Sequence, residues 1–282
     1  MLRRTTATLA VAALAFTTLA AEDDAPTVEL TADAVTTDAG TLEVSGSLSF
    51  GGSLLVLDDA VGDAAVPGVG HDLDAVTLRQ EGQRLRVELA LADAIPAVES
   101  LPEVTRWVIP LNGSSRPGAE LHAWRSSAFN SAVGQADPAQ VFTSLDFDGD
   151  GGFETEPVDG GLAGGVLFWD APISTLGHLP GDQLFLSAAS QPGAAGFFKV
   201  FLDFDSATGN TEFTLGGLVT ATLTAEDGST VTRTGVALAD GTWALSFGEV
   251  APGAYTLTTS SGYADVAAEV TTDVVVEAPA TE

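Results

Sequence analysis

Apolar residues recur at every second position along most of this chain, and almost no stretch after residue 27 carries a sustained helical period. Leu42, Val44, Leu48 and Phe50 share one face of a strand. Val76 and Leu78, followed by Leu85, Val87, Leu89 and Leu91, make two strands joined at Gln80-Glu81-Gly82-Gln83, a short connection with its glycine where a positive φ is useful. Trp107, Ile109 and Leu111 form another strand, and Leu162 to Trp169, Gln183 to Ala189 and Phe197 to Phe204 complete the first set. Asp137-Pro138-Ala139-Gln140 and Ile173 to Leu176 offer at most a short helical turn. Frequent Gly and Pro punctuate the strands, as in an antiparallel sandwich.

The pattern breaks at the polar turn cluster Asp205-Ser206-Ala207-Thr208-Gly209-Asn210. A second, smaller β-unit follows, with strands at Leu218 to Ala225, Thr230 to Leu238, Thr242 to Phe247, Ala254 to Thr259 and Val266 to Val276, and turns at Asp227-Gly228 and Asp240-Gly241. Trp243 falls on the Leu245 and Phe247 side and is expected in the core. The expected architecture is all-β: an antiparallel β-sandwich over residues 27–209, then a smaller sandwich over 214–276. No internal repeat links the two.

The start of the chain has its own signature. Arg3 and Arg4, an Ala-rich apolar stretch from Leu9 to Leu19 and the small-residue exit Thr18-Leu19-Ala20-Ala21 read as a secretory signal peptide over residues 1–21. An apolar core of about eleven residues is too short to span a bilayer, which needs roughly twenty. The expectation is a secreted protein, extracellular or loosely held at the cell surface, without membrane insertion. With no cysteine, an extracellular fold of this kind relies on its cores and on metal instead of disulfides.

Charge narrows the partners. The formal charge is -29, and losing Arg3 and Arg4 with the leader takes it to -31; such a surface repels nucleic acid and anionic membranes. Lys199 is the sole lysine, a balance that suits either plain solubility or a setting rich in salt or divalent cations. Hydrophobic content of 45% argues against disorder.

The sharpest chemistry lies at Asp146, Asp148 and Asp150, three carboxylates at alternate positions closed by Gly151. Calcium takes six to eight oxygens at roughly 2.3–2.6 Å, and alternate Asp side chains in a tight loop converge on one side. Gly152 would add its carbonyl and Glu154 a direct or water-mediated contact. Pro157 stands where an EF-hand has its closing bidentate acid, which leaves Glu156 or Asp159 as substitutes and makes the loop a structural Ca2+ staple, not a sensor. The competing reading is an acidic solvated turn. Asp58, Asp59, Asp63, Asp72 and Asp74 form a second acidic group, and Asp203 with Asp205 a lesser one, both commonplace in so acidic a chain.

Catalytic signatures are missing from the sequence: no nucleophile elbow, His-Glu-x-x-His helix, phosphate loop or dinucleotide glycine pattern occurs. His71, His122 and His178 are scattered, and aromatic content of 7% is low for a polysaccharide-cleaving cleft. Trp124, in Leu121-His122-Ala123-Trp124-Arg125, falls off the Leu121–Ala123 side. With His122 and Arg125 it makes the candidate ligand-binding group, able to stack on a sugar or grip a peptide, against the alternative that it caps a sheet edge.

Two resemblances bear on this reading. Residues 240–263, with Asp240-Gly241-Thr242-Trp243 opening one strand and Pro252-Gly253-Ala254-Tyr255 opening the next, resemble the carboxypeptidase regulatory-like and collagen-adhesin B-type modules, over about sixty residues from Gly216 to Val276. That resemblance implies an immunoglobulin-like or prealbumin-like spacer unit, but without the lysine that an isopeptide crosslink needs. Asp58-Asp59-x-x-Gly62-Asp63, His71-Asp72-Leu73-Asp74-Ala75-Val76, the strand Leu85 to Ala92 and Val166 to Ile173 leading to Leu176-Gly177 resemble the DOMON and family 9 carbohydrate-binding sandwiches. There an acidic loop near the start often holds calcium; haem-binding relatives need axial Met or His, and the only Met here is Met1. The resulting expectation is a non-catalytic, calcium-stabilised protein binding an extracellular glycan or surface protein, or else a spacer that recognises nothing itself.

Overall fold

A computed structural model describes residues 25–36, 41–64, 72–92, 104–113, 119–125, 142–146, 156–163, 165–193, 205–208 and 211–277. Among them the chain is all-β. Its strands are β1 (Thr27–Leu30), β2 (Asp33–Thr36), β3 (Thr41–Gly51), β4 (Ser53–Asp58), β5 (Leu73–Glu81), β6 (Arg84–Leu91), β7 (Val104–Gly113), β8 (Ala119–Arg125), β9 (Phe142–Asp146) and β10 (Glu156–Pro157). There follow β11 (Asp159–Ala163), β12 (Val166–Pro172), β13 (Gln183–Gly193), β14 (Asp205–Thr208), β15 (Phe213–Thr214), β16 (Leu218–Ala225), β17 (Thr230–Val236), β18 (Thr242–Glu249), β19 (Gly253–Tyr263) and β20 (Val266–Val276).

These strands form four antiparallel sheets. One has the order β10-β9-β8-β7-β13-β14, with β15 also on β13, and another the order β11-β12-β6-β5-β4. The alternating apolar positions of both meet in one core that includes Trp107, Ile109, Leu111, Leu121, Trp169 and Leu184. The expected hairpin at Gln80–Gln83 is present, with Gly82 at φ 56°. Residues 162–169, read from their apolar run as one strand, are instead the hairpin β11–β12: Gly165, at φ 89°, turns the chain where no β-branched residue would. Residues 173–177 are turn and not helix, closed by the Thr175 and Leu176 amides on the Pro172 carbonyl. The segments at 137–140 and 197–204 lie outside the described residues.

The second core is built from both ends of the chain. The sheet β17-β16-β19-β20 faces a sheet in which β3 pairs with β18 along one edge and with β1 and β2 along the other. Leu30, Leu42, Val44 and Leu48 therefore pack with Val219, Leu223, Trp243, Leu245 and Leu257. Sequence order places residues 27–51 with the first unit, but their hydrogen bonds and buried side chains lie with the last sixty residues. The larger sandwich is thus inserted between β3 and β16. Trp243 is buried as its spacing predicts.

Candidate functional site

The candidate ligand group sits on β8, between β7 and β9. Odd-numbered residues of β7 and β8 (Trp107, Ile109, Leu121, Ala123) fill the core. The register sets positions 106, 124 and 142 side by side across β7, β8 and β9, and Gln191 of β13 pairs with Arg106. Arg106, Trp124 and Phe142 are thereby brought into one row, with Thr105 and Arg125 paired next to it. Proximity of Phe142 and Arg106 to Trp124 could not be read from the sequence, since they lie eighteen residues away on either side.

His122 does not share this position. Its side chain is fully buried, its Nε2 lies 2.8 Å from Glu120 Oε2, and its carbonyl accepts a hydrogen bond of 2.9 Å from Trp169 Nε1. Val108, its partner in register, is buried as well, so both faces of the sheet are covered at this point. A surface ligand would not reach the imidazole. Trp169 uses its indole N–H to tie the second sheet to the backbone of the first, which is why a buried tryptophan costs nothing in unmet hydrogen bonding here.

Asp146 ends β9 and pairs with Glu120. Asp148, Asp150, Gly152 and Glu154 lie outside the described residues, but the two ends of their loop are fixed: Leu145 pairs with Glu156 and Ser144 with Pro157. The expected calcium segment is therefore the connection of a β9–β10 hairpin.

Within the second acidic group, Asp72 is buried and both its carboxylate oxygens accept from the Gly62 amide, at 3.0 and 2.8 Å. The Ala92 amide binds the Asp72 carbonyl and the Asp59 amide the Asp74 carbonyl. This group is organised around backbone N–H donors; Asp58 and Asp63 point to solvent. Among the described residues no group of three or more His, Asp or Glu is placed to hold a metal ion. His178 is buried far from His122 along the chain, near Asp182, and His71 and Asp203 lie outside the described residues.

One constellation had no signal in the sequence. At the meeting of the two sandwiches, Tyr263 is fully buried; its hydroxyl donates to the Gly52 carbonyl at 2.7 Å and accepts from the Gln80 amide at 3.1 Å. The Gln80 side chain in turn accepts from the Gly216 amide at 2.9 Å and donates to the carbonyls of Gly216 and Gly82. Phe50 and Phe213 flank the tyrosine ring with centroids at 5.0 and 5.5 Å. Gly52, at φ 86°, is the single residue between β3 and β4, so the chain crosses from one sandwich to the other under this cluster. Each buried group left unmet there would cost about 1–3 kcal/mol, which favours keeping these hydrogen bonds made.

No family model, curated protein or solved structure matches this chain.

Proposed function

We propose that the protein is exported through its leader and acts outside the cell as a non-catalytic binding or adhesion protein, with a glycan or another surface component as its partner. What supports the reading is the row formed by Gln191, Arg106, Trp124 and Phe142 on four adjacent strands. The residue types at these paired backbone positions, two aromatics with an arginine and a glutamine, are ones that carbohydrate and peptide surfaces reward. Calcium in the β9–β10 connection would brace the edge of the same sheet. The test is binding to a glycan array or to immobilised cell-surface polymer: Trp124→Ala abolishes binding with an unchanged melting temperature, whereas retained binding, or turnover on a polysaccharide and ester panel, overturns the proposal.

A spacer role is the second reading, and the buried junction favours it. Two sandwiches locked by Tyr263, Gln80 and Gly52 form a stiff unit suited to holding another module at a fixed distance. Failure to bind any surface polymer leaves this reading standing and removes the first.

A further inference from the structure

The sheet β17-β16-β19-β20 has two open edges whose chemistry differs. Among the described residues no strand pairs with the far side of β17 or of β20. Long unpaired edges are pairing templates, and folds commonly blunt them with charge, proline or a bulge. β17 has no proline or acidic residue and is exposed on both faces, with Arg233 as its one charge; β20 runs eleven residues and carries Glu269 and Asp273, both exposed, and no cation.

Register orders the outer face of this sheet into rows. Thr230, Thr224, Thr256 and Asp273 form one; Thr232, Thr222, Thr258 and Thr271 the next; Thr234, Thr220, Ser260 and Glu269 the third. Because all four strands alternate in direction, β17 and β20 run antiparallel to each other. A second copy displaced sideways therefore presents its β20 antiparallel to β17, the more stable ladder. With rows kept in step, Asp273 and Glu269 of one copy meet the hydroxyls of Thr230 and Thr234 of the next. Homotypic pairing is worse at either edge: β17 on β17 in full register opposes Arg233 to Arg233, and β20 on β20 opposes Glu269 to Asp273 twice. Val236 and Val275, 49% and 68% exposed, lie on the same outer face beside these rows and add apolar area to such a contact.

We propose that these edges dock copies of this chain head to tail, β17 of one molecule adding to β20 of the next. Such a contact is heterologous and generates an open string or a ring instead of a closed dimer. It goes beyond the binding role above and does not rest on it. The net charge of -29 opposes close approach, so association strengthens with salt as repulsion is screened, the Debye length falling to about 3 Å at 1 M.

Sedimentation velocity of the full chain over a concentration series, at low and high salt, tests this together with negative-stain imaging. The expected result is a mass that climbs with concentration without stopping at the dimer. Thr230→Glu with Thr234→Glu raises the midpoint concentration at least tenfold at unchanged melting temperature, and adding Glu269→Lys with Asp273→Lys to the same chain restores it. A wild type that stays monomeric throughout, association that stops at a dimer, or association that the glutamate pair leaves unchanged overturns the proposal.

Discussion

Asp227 and Asp240 occupy the two Asp-Gly turns of the terminal sandwich and bind the residue two places on. The Ser229 hydroxyl, then its amide, holds the Asp227 carboxyl below the ordinary carboxylate range, and the Thr242 hydroxyl and amide do the same for Asp240. A lowered folded-state value means the folded protein takes up the proton less readily than the unfolded chain. The stability these turns contribute is therefore complete above the ordinary value of about 3.9 and is lost as pH falls through the folded value. The double variant Asp227→Asn with Asp240→Asn should melt below wild type at pH 7, with a gap that narrows as pH drops under about 4; a gap independent of pH refutes the argument. These turns were legible because Asp-Gly is a local signal. Asp72 and Tyr263 were not: the partners of each, Gly62 and the Gly52–Gln80 pair, are set by tertiary contact, so nothing at neighbouring positions marks them.

At the level of strands, period-two alternation marks β3, β5, β6, β7 and β13 in the sequence itself, since burial of one face imposes it. It misread β11 and β12, where the exposed Leu162 continues the apolar run through a glycine turn. The β9–β10 connection shows the same division. Its acidic spacing is a sequence feature, whereas the pairing of Leu145 with Glu156 that closes it is not. Closing a loop on an ion that only the folded state binds stabilises that state by mass action. The calcium reading accordingly predicts that chelator lowers the melting temperature and that Asp148→Ala abolishes the difference; equal melting with and without chelator eliminates it.

For the molecule as a whole, the decisive fact is that the terminal sandwich is completed by residues 27–51. Among the described residues, β3 is the one strand that pairs with β18. Leu30, Leu42, Val44 and Leu48, at about 1.5–3 kcal/mol each, contribute about 6–12 kcal/mol together, as much as a domain's entire stability. A fragment of residues 211–277 should thus remain unfolded by circular dichroism and amide dispersion, and fold on adding a peptide of residues 25–51; a dispersed spectrum from the fragment alone contradicts this. Sequence order concealed the arrangement, because alternation marks which residues are inside but not which sheet they join.

The insertion has a mechanical corollary. Because the first and last strands belong to one sandwich, a pull on the two ends of the chain would load that sandwich alone, and the tension would bypass the larger one entirely. The inserted sandwich would ride as an unstressed passenger on a tether, keeping its own surface intact while the tether bears the load.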